Sequence, residues 1–388
     1  MRIGIFGGSF DPVHIEHIHL VEHAIRSLAL DKLFIVPACR PPHKQGKTLT
    51  ADSERLQACR LAFAHIPKAE VSDFEILQGG TSYTYLTCRH FKQQNPTATL
   101  FFIVGTDMLR DFPNWKNTDE ILKTATLAVV ARAEQGGWIE KERALFYDKF
   151  KATFAVVDYE GQDISSTQIR VMAGAGEDVS ALVGNAVANF IKKYGLYLVS
   201  GAKEALALEK PKRKEHSLRV AQAAAKKAVE LGVSERKAIT ASLFHDCAKN
   251  LEKDSPLLKD FDFKAYKGVP DAVLHQFTGA YLAQTRFGVD DEEILDAIRF
   301  HSSGKAEMTT LGKIVFLADF VEDGREFAGV EILRKAYYQK GKIDECLAMA
   351  LEHSLKYLKE KGGEIYPLTK QAYDFYKEKE NGTKTSNE

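Results

Sequence analysis

MRIGIFGGSFDPVHIEH, residues 1–17, decides how the rest of the chain is read. Arg2 to Phe6 are apolar enough for a short buried strand, Gly7 and Gly8 turn without a Cβ penalty, and Pro12 leads into a helix carrying His14 and His17. A strand, a glycine turn and a helix start bring free backbone N–H groups and the positive end of a helix dipole to one point, where a nucleotide phosphate fits. Gly7, Gly8, Ser9 and Phe10 form the candidate phosphate turn. His14 and His17, three residues apart, share one helical face and point the same way.

Working outward, apolar runs alternate with amphipathic ones from Arg2 to about Val199. RIGIF, KLFIVP (32–37), EVS near Val71, TLFFIVG (99–105), TLAVVAR (126–132) and FAVVD (154–158) read as strands, with helices between them over 53–64, 83–94 and 139–150. Several of these strands are apolar on both faces, as in a parallel sheet covered on both sides. This βαβ alternation predicts an α/β doubly wound parallel-sheet domain whose ligands collect at the carboxyl ends of the strands. The polar signals lie at those ends: GGSFDPVH, PACRPPHK, GTDMLRDFPNW and ISSTQIR. ISSTQIR sets the hydroxyls of Ser165, Ser166 and Thr167 at a helix N-cap with Arg170 one turn along, a combination suited to a polyphosphate.

After Tyr197 the pattern dissolves into LVSGAKEALALEKPKRKE, which reads as a surface connector or short linking helix. Beyond it the strand signals vanish and apolar residues recur every three to four positions, which predicts an all-α domain. The expected organisation is an α/β domain over 1–198, a linker over 199–213, a helical domain over 214–379 and a polar tail over 380–388. In the helical half, His216, His245, Asp246, His275, His301 and Asp319 fall at core or half-core positions. A buried charge or imidazole is costly without a partner. Six such groups, including an adjacent His-Asp pair, point to a metal centre.

Composition narrows the function classes. At 388 residues the chain is comfortable for two domains. No apolar run reaches the roughly 18 residues that a membrane span needs. The first strand starts within two residues of Met1, leaving no room for a signal peptide, so the cytoplasm is the expected compartment. Five cysteines without a CxxC pair indicate neither a disulfide framework nor a thiolate zinc site. With 53 basic and 53 acidic residues there is no global field to draw nucleic acid.

IGIFGGSFDPVHIEH, VPACRPPHK, SYTYLT, FIVGTDMLRDFPNW and ISSTQIR, in that order, resemble bacterial nicotinate-nucleotide adenylyltransferase over residues 1–198. The resemblance implies transfer of AMP from ATP to nicotinate mononucleotide, giving deamido-NAD and pyrophosphate, with Mg2+ on the phosphates. It implies that His14 and His17 hydrogen-bond the ATP phosphates, that Ser165, Ser166, Thr167 and Arg170 hold the outgoing pyrophosphate, and that Lys44 adds positive charge. Gly105 and Asp107 would line the nucleotide cleft; Ser82, Tyr83, Thr84 and Trp115 would frame the nicotinate mononucleotide. Two departures stand out: Glu16 replaces the glycine of the HxGH signature, and Ala133-Glu134 replaces the usual proline and glycine. A carboxylate about 5 Å from a phosphate charge, at an effective dielectric of about 20, would cost roughly 3 kcal/mol, or about two decades in binding. A side chain swung into solvent would cost little.

HSLRV, FHDCAK, LHQFTGA, AIRFHSSG and FLADFVEDGR resemble the HD superfamily of metal-dependent phosphohydrolases, and more narrowly the symmetrical diadenosine tetraphosphate hydrolases, over about 214–379. That resemblance implies two divalent metals, iron or manganese by ligand type, with Asp246 bridging them. His216, His245 and Asp319 would complete one site, and His275 and His301 the other. Lys249 and Arg325 would meet substrate phosphate, and diadenosine tetraphosphate would be cut into two ADP. Cys247 reads as a packing residue. The leading expectation is a bifunctional enzyme. Its alternatives are a transferase whose HD half regulates it, and a hydrolase whose first site is weakened by Glu16. Expected partners are the nucleotides alone, with neither nucleic acid nor membrane.

Overall fold

The computed structural model describes residues 1–42, 48–131 and 136–385. Lys44, Ala133 and Glu134 lie outside the described residues. The chain forms two compact units, Met1–Ile169 with Asp178–Leu196, and Arg170–Glu177 with Tyr197–Glu388.

In the first unit the strand runs form a single six-stranded parallel sheet: β1 (Arg2–Gly8), β2 (Lys32–Pro37), β3 (Ala69–Val71), β4 (Thr99–Gly105), β5 (Thr126–Ala131) and β6 (Ala155–Asp158), in the order β3-β2-β1-β4-β5-β6. The pairing sets Ile3 against Leu100 and Ile5 against Phe102 between β1 and β4. The winding direction reverses between these two strands, and the crevice at their carboxyl ends is where such a sheet takes its ligand. Ile3, Ile5, Phe102, Leu127 and Val129 bury one sheet face against a cluster that includes Phe91, Phe112 and Phe146. On β1, Gly4 permits close packing: a Cβ there would come within 2.6 Å of Leu30 Cδ1. The helices expected over 53–64, 83–94 and 139–150 run Asp52–Phe63, Thr84–Gln94 and Gly136–Phe150.

The second unit is helical among its described residues. Its main helices are Pro211–Glu230, Glu235–Phe244, Asp271–Thr285, Glu292–Arg299, Thr310–Val321, Val330–Tyr338, Ile343–Lys361 and Pro367–Thr385. Pro211 opens the first, at a position where a missing N–H leaves no intrahelical bond unmade. Ala221, Ala224, Ala225 and Ala228 on that helix, with Ala238 and Ala241 on the next, are all fully buried, and their short side chains let the two backbones approach closely. Val330–Tyr338 and Pro367–Thr385 were not anticipated by the sequence reading. Tyr337 anchors the former, its hydroxyl donating to the Ala223 carbonyl at 3.2 Å. A short helix, Ala202–Leu206, lies within the stretch read as a connector.

Candidate active sites

Beyond β1 the chain turns through a cis Asp11–Pro12 bond and through Phe10 at φ +46°. Packing holds Phe10 in this left-handed conformation: its buried ring sits edge-on to Phe6, His17 and Phe63 at 5.4, 5.1 and 6.5 Å between centroids. Phe10 therefore supplies a floor beneath His17. His14 caps the helix Ile15–Ser27, and its backbone N–H donates to His17 Nδ1 at 3.1 Å. A neutral His17 ring then carries its proton on Nε2, as a donor. The two imidazoles lie 3.7 Å apart, tilted by 32°. Burial drives the His14 pKa down to about 4 against the opposing pull of Glu16, so at pH 7 His14 is a neutral hydrogen-bond donor. Two adjacent donors of this kind suit phosphate oxygens.

The phosphate turn is braced by Arg55, whose side chain is fully buried. Its guanidinium donates to the carbonyls of Ser9 at 2.6 Å, Ala38 at 2.7 Å and Thr50 at 3.0 Å, and to the Asp52 carboxylate at 2.5 Å. One cation thus ties the ends of β1 and β2 and the loop before its own helix. The start of ISSTQIR is joined to the same turn. Ser166 Oγ donates to the Pro12 carbonyl at 3.0 Å, while Ser165 Oγ accepts from the Gln168 N–H at 3.2 Å as the helix cap. Arg170 groups with the second unit, where its buried guanidinium pairs with Glu235.

Glu16 is not swung into solvent. Its side chain is 10% exposed, and Oε2 accepts the Tyr159 hydroxyl at 2.7 Å. Gly161 makes the room, because a Cβ there would collide with Glu16 Oε2. The carboxylate is therefore turned to the segment after β6, with His19 Nδ1 at 3.4 Å from its other oxygen.

Of the residues expected around nicotinate mononucleotide, Ser82 Oγ accepts from the Cys39 N–H at 2.9 Å, which fixes it beside the end of β2. Tyr83 caps the helix that Thr84 begins, and Lys116 stands over the Tyr83 ring at 4.6 Å. The neighbouring Trp115 is half-buried against Phe102 and Phe112. At the end of β4 the Asp107 carboxylate folds back over Gly105, where a Cβ would lie 2.6 Å from Oδ1.

In the second unit five helices and their ends bring the six expected ligand residues together. His216 lies on Pro211–Glu230, His245 and Asp246 at the end of Glu235–Phe244, His275 on Asp271–Thr285, His301 just past Glu292–Arg299, and Asp319 on Thr310–Val321. Asp246 Oδ1 is 3.3 Å from His275 Nε2 and 3.4 Å from His301 Nε2; Asp246 Oδ2 is 3.5 Å from His245 Nε2. His245 Nδ1 donates to the Ser242 carbonyl at 2.6 Å and His301 Nδ1 to the Ile298 carbonyl at 2.8 Å. These bonds place the proton on Nδ1 and leave the Nε2 lone pairs aimed at the shared carboxylate. His275 Nε2 and His301 Nε2 face each other at 3.2 Å. Burial lowers both the His245 and His275 pKa to about 4, keeping these rings neutral.

His216, His245 and Asp246 form one group able to grip a cation, and Asp246, His275 and His301 a second. His216 Nε2 meets Asp319 Oδ1 at 2.8 Å, adding Asp319 to the first group. Four imidazoles and two carboxylates gathered around the shared Asp246 are the mixed nitrogen and oxygen donor set that divalent metals take, so these residues fit the metals the sequence implies. Lys249 Nζ lies within 3.1 Å of both His275 ring nitrogens, and Arg325 pairs with Asp319.

Several supporting residues escaped the sequence reading. Glu322 receives His216 Nδ1 at 3.0 Å, and Gln276 Oε1 accepts the N–H groups of Ser302 and Ser303, fixing the turn that carries His301. Arg213 reaches Asp246 Oδ2 at 2.9 Å. Glu322 sits one turn past Asp319 in the quoted FLADFVEDGR, which is the signal that could have found it. Gln276 and Arg213 carry no comparable signal. Cys247 packs, fully buried, with its thiol 3.7 Å from the Gly279 carbonyl.

Comparison with known proteins agrees with this division. Residues 5–172 match the cytidylyltransferase-like family and residues 213–324 the HD domain. A Clostridium tetani protein named as a probable nicotinate-nucleotide adenylyltransferase is 39% identical over 194 residues, covering 50% of this chain and 97% of its own length. A Mycoplasma genitalium protein named as a probable nicotinate-nucleotide adenylyltransferase/Ap4A hydrolase is 28% identical over 362 residues, covering 91% of this chain and 97% of its own. The crystal structure of an HD superfamily hydrolase from Clostridium acetobutylicum, described as involved in NAD metabolism, is 32% identical, with a TM-score of 0.42, covering 46% of this chain and 95% of that one. The chain belongs to the nicotinate-nucleotide adenylyltransferase family and carries an HD domain behind its transferase fold.

Proposed function

We propose that the chain is a bifunctional enzyme. Its first half, about 1–198, joins ATP and nicotinate mononucleotide into deamido-NAD and pyrophosphate; its second, about 214–379, hydrolyses diadenosine tetraphosphate to two ADP. The observation that carries the proposal is the tautomer control in the helical unit, where His245 and His301 keep their protons on Nδ1 and turn their lone pairs onto Asp246. The Mycoplasma genitalium relative, named for both activities and matched across 91% of this chain, supports the pairing.

In the transferase an oxygen of the nicotinate mononucleotide phosphate attacks the α-phosphorus of ATP, the bond to the β-phosphate oxygen breaks, and pyrophosphate leaves. No proton need move. The protein aligns two anions and stabilises the charge that builds between them. Neutral His14 and His17 donate to ATP phosphate oxygens without adding fixed charge, while Thr167 and the amides of the helix Ser166–Gly174 receive the pyrophosphate with Mg2+. Trp115 and Tyr83 frame the pyridine ring.

For the hydrolase, His216, His245, Asp246 and Asp319 would hold one divalent ion and Asp246, His275 and His301 the other, iron or manganese by ligand type. Such a pair supplies a nucleophile at neutral pH and Lewis acidity on the attacked phosphate. Lys249 and Arg325 balance the phosphate charge, and Glu322 keeps His216 in its ligating tautomer. Five free cysteines, and the lack among the described residues of a helix long and apolar enough to cross a membrane, suit a cytoplasmic protein.

The test is a product assay on the whole chain, with ATP and nicotinate mononucleotide in one vessel and diadenosine tetraphosphate plus Mn2+ or Fe2+ in another. Deamido-NAD is expected in the first and lost with His17→Ala alone; ADP is expected in the second and lost with Asp246→Ala alone. Loss of both products in either variant would refute two independent sites.

A further inference from the structure

The ligand cluster of the HD unit opens onto two cavities of different chemistry. One, of about 670 Å3, reaches Asp319 and is walled by Arg325, Phe327, His353, Tyr357 and Tyr366. The other, of about 500 Å3, reaches His275 and is walled by Lys210, Lys249, Lys253 and Phe263. Ala272, in the first turn of the helix Asp271–Thr285, lines both, so that turn is the partition between them. Both volumes fall in the range of small-molecule sites.

This inference rests on the hydrolase reading. Cutting a dinucleoside tetraphosphate at its centre leaves an identical nucleoside diphosphate on each side of the attacked bond, so a bound substrate needs room on both sides of the metals. We propose that the two halves are held by unlike means: one adenine in the aromatic cavity, the other half by its phosphates along the lysine cavity. In the aromatic cavity the rings of Phe327 and His353 lie 4.6 Å apart at 35°, and Tyr357 is 54% exposed, an aromatic face left open to a base. Stacking of this sort is a strong source of nucleobase affinity. In the lysine cavity Lys253 is already paired with Asp271 at 2.6 Å, and Phe263 is half-buried in the core. Lys249 and Lys210 remain to meet phosphate charge on a wall that also carries Glu252, Leu251 and Leu274, and among the described lining residues Phe263 is the one carbocyclic aromatic ring, against Phe320, Phe327, Tyr357 and Tyr366 in the other cavity. The aromatic cavity therefore sets nucleobase preference, and the lysine cavity sets the salt dependence of binding.

The experiment uses the whole chain with Mn2+. Tyr357→Ala and His353→Ala are expected to raise KM for diadenosine tetraphosphate about tenfold while kcat holds; Tyr357 is exposed enough for the fold to survive its loss. In parallel, 8-azido-ADP is photocrosslinked to the wild type and the labelled peptides are read by mass spectrometry, with label expected between Phe327 and Tyr366. Hydrolysis with unchanged KM in both variants and no label in that segment overturns the proposal and leaves the hydrolase reading standing. Label in that segment without any hydrolysis does the reverse, retiring the diadenosine tetraphosphate reading while keeping the aromatic cavity as a nucleotide site.

Discussion

Arg55→Met tests whether the nucleotide turn depends on a cation buried beneath it. Methionine keeps much of the volume and removes every donor. The Ala38 carbonyl is buried, and losing its guanidinium donor costs about 1–3 kcal/mol; the Ser9 and Thr50 carbonyls are part-buried and water can replace some of what they lose, at about 0.5–1.5 kcal/mol each. Asp52 is 40% exposed and returns to solvent at little cost. Against these losses stands the desolvation penalty of the guanidinium, which methionine removes and which in some proteins cancels the benefit of a buried ion pair. Here the acceptors are mostly fixed backbone carbonyls of three separate segments, which cannot be removed along with the arginine, so the losses should win by about 3 kcal/mol. Both tryptophans, Trp115 and Trp138, lie in the first unit, so their fluorescence follows unfolding of that unit. With a urea slope of about 2 kcal/mol/M the midpoint should fall by about 1.5 M. Because the Ser9 carbonyl would be released, KM for ATP should rise about fivefold or more. A midpoint that stays or rises, with KM for ATP unaltered, would refute the bracing role and show that desolvation governs the site.

Two further outcomes follow from the same unit. Tyr159→Phe removes the donor to the buried Glu16 carboxylate and should destabilise the unit by about 1–3 kcal/mol, whereas the double change Glu16→Gly with Tyr159→Phe should recover most of that loss; equal midpoints for Tyr159→Phe and wild type would dismiss the hydrogen bond. For His14, a folded pKa of about 4 against an ordinary 6.5 means that between those values the unfolded chain binds a proton and the folded chain does not. The stability tied to its neutral state is then complete above pH 6.5 and lost as pH falls towards 4, about 2 kcal/mol of it between pH 7 and pH 5. His14→Gln should flatten that slope in tryptophan-monitored urea melts, and a slope equal to wild type would show that His14 is not the group responsible.

How far sequence could anticipate this molecule depends on where each residue finds its partner. The strands were legible because a parallel sheet covered on both faces writes itself as apolar, β-branched runs such as TLFFIVG, with no need to know which strand lies beside which. The ligands of the HD unit were legible because an imidazole or carboxylate on an apolar helix face is costly and so conspicuous. Arg55 was not: in DSERLQACR it looks like any arginine on an amphipathic helix, and its burial is decided by carbonyls at Ser9, Ala38 and Thr50, whose side chains say nothing about it. Glu16 shows the same limit in sharper form. Reasoning along the chain allowed the carboxylate to face phosphate or water, since those were the environments visible from its own helix. The fold adds a partner that neither environment includes, a tyrosine 143 residues away beside a glycine that leaves space for the carboxylate. A charged residue in a glycine position of a signature is therefore weak evidence of a damaged site until the residues it could reach across the sheet have been considered. In this chain the substitution at 16 has to be judged together with Tyr159 and Gly161, and it is the three as a set, rather than Glu16 alone, that determine what becomes of the charge beside the phosphate turn.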